Sequence, residues 1–239
     1  GGINDEEYGI YDININGEDL RRISVPEFAG SPDWSPDGNW IVYTKGGDIY
    51  KKKLADDSVI VQLTFNGGNY FPSWSKDGQW IAFDSNADSP NGMHFVWKMR
   101  TDGTERRRII YSPETGEVRQ PDWFPDGIRL AVARFVGHGG PEIAIIDTMG
   151  NSLALLTNDG IFDRSPRVSN DGLYIVFEKD GNWGQIFRIK ADGSELFRVS
   201  EGNSTTPDWS PDGNRITYSS YEPQQIFVID RNGFLKRKL

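Results

Sequence analysis

Five copies of a short motif containing proline, aspartate and glycine predict that this 239-residue chain is an all-β protein, a β-propeller of four-stranded antiparallel blades. The motif prolines are 40, 49, 45 and 41 residues apart, a period that fits one blade per repeat. The 27 glycines, 13 prolines and 13% aromatic residues suit frequent turns around an aromatic core. The copies are residues 31–38 (SPDWSPDG), 71–78 (FPSWSKDG), 120–127 (QPDWFPDG), 165–172 (SPRVSNDG) and 206–213 (TPDWSPDG).

The fifth repeat shows the four strands of one blade most clearly. A Pro-Asp-Gly turn separates its first two strands, because proline presets φ and glycine tolerates positive φ. A loop leads to the third strand, and an Asn-Gly turn leads to the fourth. This spacing fits hairpins and leaves no room for helices. The predicted strands cover 206–210, 215–219, 226–230 and 234–239.

The other repeats carry the same signals at matching places, so we expect one propeller domain over residues 1–239. Before the first motif, residues 9–23 match 225–239 and predict only a third and a fourth strand. The predicted repeats are about 25–64, 65–110, 111–157, 158–200 and 201–239, with an N-terminal half blade at 8–24.

The half blade leaves the two ends of the chain unmatched, since the fifth repeat already has its own fourth strand. One interpretation is a segment of a longer protein. The other is an incomplete six-bladed arrangement or a five-bladed one with an additional hairpin. Unpaired strands at the half blade would also favour self-association.

Charge and composition exclude several classes of partner and site. The net charge of -9 disfavours binding to nucleic acid or to an anionic membrane surface. No apolar run approaches the roughly 18 residues of a membrane-spanning helix, and no signal peptide is visible. The absence of cysteine excludes disulfides and thiolate ligands. The basic clusters at 51–53, 106–108 and 236–238 are interpreted as solvated charges that protect outer strands.

The tryptophans and aspartates of the motif are assigned structural roles. One tryptophan at a fixed register in each repeat favours packing between neighbouring blades, against the alternative of a platform that stacks sugars or bases. One aspartate in each hairpin turn favours turn stabilisation, against the alternatives of carboxylate catalysis and metal binding. Val168 replaces the tryptophan of the fourth copy. The residues are Trp34, Trp74, Trp123 and Trp209 with Asp37, Asp77, Asp126, Asp171 and Asp212.

No catalytic constellation is visible, so we expect a non-enzymatic chain with no cofactor. The two histidines, His94 and His138, lie in predicted loops, and no G-x-S-x-G nucleophile motif is present. Two histidines without cysteine do not make a histidine-rich metal cluster, so no metal ligand is assigned. Calcium in the channel or in a loop is left open. The alternating residues Asp84, Asn86 and Asp88 resemble the start of a calcium loop but lack its later glycine and glutamate.

The string PDWSPDG, followed by an IVY or ITY strand and later by IFVIDRNG, resembles the TolB-type propeller repeat, also described as a tryptophan–aspartate-like repeat. The resemblance covers residues 10–239. It implies a propeller of the bacterial cell envelope that binds protein partners, including a lipoprotein, and hence a periplasmic or extracellular location. Similar repeats occur in the propellers of tricorn-like and prolyl-oligopeptidase-like peptidases and in oligogalacturonate lyases.

Loops that enter the first strand of each blade gather on one face of a propeller, and loops carry function on such scaffolds. Here they contain aromatic residues and arginines, which are typical of protein-binding hot spots. We therefore expect a module that binds a protein or peptide on this face. Alternatives are phenylalanines tucked under their own loops, a domain or fragment of a larger hydrolase or carbohydrate-active enzyme, and a structural repeat protein without ligand. The candidate binding residues are Phe28, Tyr70, Phe71, Arg119, Gln120, Phe162, Arg164, Thr205 and Thr206.

Overall fold

A computed structural model describes residues 9–23, 29–109, 116–137, 139–180, 184–221 and 224–239. The regular elements of these described residues are all β-strands, and none of them is a helix that could cross a bilayer. The chain divides into two compact units, residues 1–108 and residues 109–239.

The first unit contains a two-stranded hairpin and two four-stranded sheets, all antiparallel. The hairpin is the predicted half blade, and it packs on blade 1 through Ile10, Ile23, Ile41 and Tyr43. Its strands are β1 (Tyr11–Asp12) and β2 (Arg21–Arg22); blade 1 has β3 (Ala29–Trp34), β4 (Trp40–Lys45), β5 (Asp48–Lys53) and β6 (Ile60–Gln62); blade 2 has β7 (Asn69–Trp74), β8 (Trp80–Ser85), β9 (Phe95–Arg100) and β10 (Arg107–Arg108).

The second unit contains three four-stranded antiparallel sheets, each an up-and-down succession of neighbours in the chain. Blade 3 has β11 (Val118–Trp123), β12 (Arg129–Phe135), β13 (Pro141–Asp147) and β14 (Ser152–Leu155); blade 4 has β15 (Asp163–Val168), β16 (Tyr174–Lys179), β17 (Gln185–Lys190) and β18 (Phe197–Arg198); blade 5 has β19 (Ser204–Trp209), β20 (Arg215–Tyr221), β21 (Gln224–Asp230) and β22 (Arg237–Lys238).

The predicted fold class is confirmed: the chain is an all-β propeller with four-stranded antiparallel blades, five of them, together with the N-terminal hairpin. The residues that the structure describes therefore match the alternative of five blades with an additional hairpin.

The core lies between successive blades of the same unit. Second strands such as β4, with the sequence WIVYTK, are buried on both faces and carry the β-branched and aromatic residues that favour strands. Between blades 1 and 2, Trp74 packs against Val42 and Ile49. Between blades 3 and 4, Val168 and Phe177 pack with Phe124 and Ile143. Blades 4 and 5 share a further cluster that includes Val176, Ile186, Ile216 and Tyr218.

Candidate partner-binding face

The candidate binding residues lie at the starts of the innermost strands or just before them. Tyr70 and Phe71 are in β7 of the first unit. In the second unit, Arg119 and Gln120 are in β11, Arg164 is in β15, and Thr205 and Thr206 are in β19, while Phe162 directly precedes β15. Phe28 lies outside the described residues.

Each of these innermost strands contains a β-bulge immediately before the motif proline. The pairing register with the second strand shifts there in all five blades, for example between Arg119 and Asp122 in blade 3. The residue before the proline adopts a left-handed conformation, at a cost on the order of 1–3 kcal/mol. Proline has no N–H for the ladder, so an X-Pro pair inside a strand is the sequence signal of this bulge. The φ values are 49° at Ser31, 50° at Phe71, 55° at Gln120, 54° at Ser165 and 49° at Thr206.

Gln120 joins the bulges of two neighbouring blades. The backbone N–H of Ser165 donates to Gln120 Oε1 at 2.9 Å, and Gln120 Nε2 donates to Ser165 Oγ at 3.4 Å. The side-chain amide is therefore committed to holding blade 3 against blade 4.

Arg164 is held by carboxylates of its own blade. Its Nη2 lies 2.8 Å from Glu178 Oε1 and 3.4 Å from Asp180 Oδ2. The Glu178 side chain is only 2% exposed, and its other oxygen accepts a 2.5 Å hydrogen bond from the Thr205 hydroxyl of blade 5. Burial disfavours the charged guanidinium, but the hydrogen bond and charge of Glu178 outweigh it and raise the pKa of Arg164. The Arg164 side chain nevertheless remains 37% exposed.

Arg119, one blade earlier, is also paired with a glutamate, although Glu117 lies two residues before it in the chain and not on the neighbouring strand as Glu178 does. Its Nη2 is 2.6 Å and its Nε is 2.8 Å from Glu117 Oε1, and its Cζ lies 5.5 Å from the centre of the Phe135 ring. The Arg119 side chain is 38% exposed. The second unit thus presents two half-exposed guanidinium groups, each held in position by an ion pair with a glutamate.

The remaining candidates differ in how far they are exposed. Phe162 is half-exposed, and its ring lies over Gly140, where an added Cβ would come within 2.6 Å of it. The Thr206 hydroxyl lies 2.7 Å from the Ser219 hydroxyl on β20.

In the first unit, a buried acid and histidine stand behind Tyr70. The Tyr70 ring is 5.8 Å from that of His94, whose Nδ1 lies 3.0 Å from Asp84 Oδ1. The aspartate is fully buried and the histidine nearly so. The structure places Asp84 in β8 and not in the calcium-like loop that the sequence suggested, and His94 lies ten residues later, so nothing local predicts this pair. His138 lies outside the described residues.

The motif aspartates accept hydrogen bonds within their own turns. In blade 1, Ser35 Oγ donates to Asp37 Oδ1 at 2.5 Å, and the N–H of Asn39 donates to the same oxygen at 3.0 Å. These bonds, the one from Ser35 most strongly, lower the pKa of Asp37 to about 2. The corresponding contacts are made by Asp77 with Ser75, Asp171 with Ser169, Asp212 with Ser210, and Asp126 with the backbone of Ile128 and Arg129.

The motif tryptophans do not share one environment. Trp74 and Trp123 are buried, and Trp209 is partly buried, donating from Nε1 to the Arg167 carbonyl of blade 4. Trp34 is 50% exposed. Trp74 rests on β4 and β5 of the preceding blade. Among the described residues before Trp34, the hairpin has no strand corresponding to β4.

A second set of aspartates, in the Pro-Asp-Trp part of the motif, connects neighbouring blades, a role that the sequence reasoning missed. Asp33 Oδ2 accepts the N–H of Trp74 at 2.6 Å, and Asp122 Oδ2 accepts the N–H of Val168 at 2.7 Å. In both pairs the acceptor is in one blade and the donor is at the tryptophan position of the next.

One cluster of the described residues has the composition of a metal site. A carboxylate oxygen from each of Glu142, Asp159 and Asp163 lies within 4.8 Å of the other two. Lys179 Nζ is 2.8 Å from Asp159 and 2.9 Å from Asp163. The cluster lies on the opposite face of β16 from Glu178, because neighbouring strand residues alternate.

Comparisons with known proteins agree with this architecture. The family described as TolB beta propeller domain matches residues 72–236, and the N-terminal region of dipeptidyl peptidase IV matches residues 4–73. An uncharacterized protein of Agrobacterium fabrum is 30% identical in an alignment of 229 residues that covers 88% of this chain and 72% of that protein. The Tol-Pal system protein TolB of Francisella tularensis is 26% identical in an alignment of 219 residues that covers 85% of this chain but only 49% of that protein.

A solved structure shows the same fold at lower identity. The crystal structure of TolB from Acinetobacter baumannii superposes with a TM-score of 0.84 at 23% identity, over 98% of this chain and 60% of that one. This likeness concerns the fold alone.

Proposed function

We propose that this chain, which belongs to the TolB β-propeller domain family, is a non-enzymatic module that binds a protein or peptide of the bacterial cell envelope. The envelope location and the protein partner are supported by the relative that is described as a Tol-Pal system protein. The binding site is the face formed in the second unit by the starts of β11, β15 and β19.

The observation that carries this proposal is the pair of fixed, half-exposed arginines. A partner that contacts Arg119 or Arg164 does not have to immobilise a flexible side chain, because Glu117 and Glu178 already hold them. Preorganised side chains reduce the entropic cost of association, and arginine is enriched among the residues that dominate interface energies. The half-exposed Phe162 ring, two residues before Arg164 in the chain, adds apolar area.

The polar side chains of this face suit the binding of a partner, because its acidic and amide groups are already paired within the chain. The carboxylates of Glu117 and Glu178 accept from arginines, and Gln120 accepts from the backbone of the neighbouring blade. A guanidinium that pairs with a glutamate through some of its N–H groups still has others that can donate to carboxylates or carbonyls of a partner. Its planar face can also stack on an aromatic ring of the partner.

The test uses peptides selected from a phage-displayed library on the wild-type chain. Replacing Arg119 and Arg164 together by alanine is expected to weaken binding of the selected peptides at least tenfold, since hot-spot truncations cost about 2 kcal/mol or more. Arg198→Ala is the matched control, because this arginine is exposed on the outermost strand β18 of the same blade. It should leave binding unchanged. Binding is compared where urea unfolding shows every variant to be folded, because Arg164→Ala removes the ion-pair partner of the buried Glu178 and is expected to lower the free energy of unfolding.

Glu178→Gln separates preorganisation from direct contact. It keeps the Arg164 side chain but weakens its anchor, so affinity should fall less than in Arg164→Ala. A library that yields no binder, or binders indifferent to both arginines, contradicts the assignment of this face.

A further inference from the structure

The carboxylate cluster of Glu142, Asp159 and Asp163 can be compared with the matching positions of another repeat in the first unit, which we call the reference junction. At the junction of blades 1 and 2, Asp48 begins the third strand, as Glu142 does near the start of β13, and Asn69 begins β7 as Asp163 begins β15. The fourth-strand threonines also match: Thr64 Oγ1 accepts from Ile49 N, and Thr157 Oγ1 accepts from Ile143 N. The two junctions therefore use one backbone framework.

The reference junction satisfies its single carboxylate with neutral donors. Asp48 Oδ1 accepts from Thr64 Oγ1 at 2.8 Å, from Gly67 N at 3.1 Å and from Asn69 Nδ2 at 3.1 Å. Asn66, the residue before Gly67, contributes an amide oxygen that accepts from Asn69 Nδ2 at 3.1 Å. The carboxylate of Asp48 thus accepts from amides and a hydroxyl, and the Arg106 guanidinium donates to the amide oxygens of Asn66 at 3.1 Å and Asn69 at 3.4 Å.

The junction of blades 3 and 4 replaces these amides by acids. Asp159 precedes Gly160 as Asn66 precedes Gly67, and Asp163 replaces Asn69. An aspartate carboxylate cannot donate as the asparagine amide does. Glu142 Oε1 keeps the bond from Gly160 N at 2.7 Å, but its Oε2 is buried without a hydrogen-bond partner among the described residues, and Glu142 is only 2% exposed.

Lys179 balances only part of this charge. Three carboxylates and one ammonium leave a net charge of about -2 when all are ionised, in a place where Glu142 and Asp163 are buried. Lys179 Nζ contacts Asp159 and both oxygens of Asp163, whereas the Glu142 carboxylate accepts, from the part of the chain that the structure describes, only the N–H of Gly160. Buried carboxylates in such excess require a further cation or a proton.

We propose that Glu142, Asp159 and Asp163 bind a divalent cation that prefers oxygen ligands, namely Ca²⁺, in competition with the Lys179 ammonium. All three donors are carboxylates, the ligand type that calcium selects over softer metals. The half-exposed Asp159 gives the ion a route from solvent. Because Lys179 competes for two of the three ligands, affinity is expected in the weak range of extracellular calcium modules, with a Kd on the order of 0.1–1 mM.

The experiment titrates CaCl₂ into the chelator-treated 239-residue chain and follows binding by isothermal titration calorimetry and the thermal midpoint by circular dichroism. One Ca²⁺ per chain should bind and raise the midpoint. Glu142→Gln should weaken binding at least tenfold. Lys179→Met, which removes the competing ammonium, should tighten it. Asp48→Asn, at the reference junction, should leave the calcium response unchanged.

Two further arms keep the outcome decisive. If Glu142→Gln fails to fold, Asp159→Asn at the half-exposed position must show the weakened binding instead. Absence of a calcium response in wild type, an undiminished response in the Asp159 variant, or weaker binding in Lys179→Met overturns the proposal. A stability that depends on pH but not on calcium overturns it as well, because a proton then supplies the missing charge.

Discussion

Replacing Trp123 and Trp34 separately by alanine tests whether position in the repeat or the local surroundings determine what a motif tryptophan contributes. Both occupy the same place in the Pro-Asp-Trp string, but Trp123 is fully buried and Trp34 is 50% exposed. Truncating a buried tryptophan costs about 3–5 kcal/mol, from lost apolar burial and from the cavity that remains.

The expected loss at Trp34 is smaller for two reasons. A fully buried tryptophan side chain removes about 200 Å² from water. Because half of Trp34 is exposed, only about 100 Å² is buried, and at about 25 cal/mol per Å² the transfer contribution is at most about 2.5 kcal/mol. Water also fills the vacated space, so no cavity cost is added. We therefore expect Trp123→Ala to destabilise by at least about 0.5 kcal/mol more than Trp34→Ala.

Urea unfolding followed by far-ultraviolet circular dichroism is the suitable assay, because removing an indole changes the fluorescence signal itself. The comparison uses transition midpoints at equal slope, since a changed slope would indicate an altered unfolded state. Equal losses for the two variants, or a larger loss at Trp34, would refute the argument that burial of the indole determines its contribution.

Three further predictions follow from single contacts. Asp122→Ala should destabilise by about 1–3 kcal/mol, because it leaves the buried N–H of Val168 without its acceptor; urea unfolding checks this. Gly184→Ala should cost clearly more than Gly213→Ala by the same assay: both glycines have a φ of 67°, but only at Gly184 would the new Cβ meet a backbone carbonyl, that of Ser204, at 2.7 Å. Because burial raises the pKa of Asp163 from 3.8 to about 6, the folded state binds its proton more tightly than the unfolded state, so this group favours folding most below pH 4 and loses on the order of 3 kcal/mol as pH rises past 6. Asp163→Asn should remove that component, seen as a wild-type stability that falls relative to the variant between pH 4.5 and pH 7.5.

The repeat motif predicts the blades because its signals are local. A Pro-x-Gly turn and alternating strands specify hairpins within about fifteen residues, so Trp40–Lys45 and Arg215–Tyr221 form second strands near the predicted places. The antiparallel pairing of the N-terminal hairpin follows in the same way from its match to the last two strands of the fifth repeat.

The contacts between blades could not be predicted in this way, because they join residues more than forty positions apart. The bond from Val168 N to Asp122 and the bridge from Ser165 to Gln120 depend on the stacking distance and register of two sheets. The left-handed residue before each motif proline had a sequence signal, the X-Pro pair inside a strand, whereas the Asp84–His94 pair had none.

A repeat protein nevertheless contains its own comparison set, because the same backbone framework is filled several times with different side chains. Where a substitution preserves the hydrogen-bond balance, as when Ser200 Oγ replaces the threonine hydroxyl in accepting the N–H of Ile186, it has no consequence beyond packing. Where a substitution turns a donor into an acceptor, as from Asn69 to Asp163, the framework gains a negative charge; Lys179 pairs with Asp163, and the cluster with Glu142 and Asp159 keeps an excess of negative charge. Buried imbalance of this kind costs free energy unless another group compensates for it. The departures from the repeat that are costly in this sense, rather than the repeat itself, are therefore the places where chemistry specific to this chain is expected.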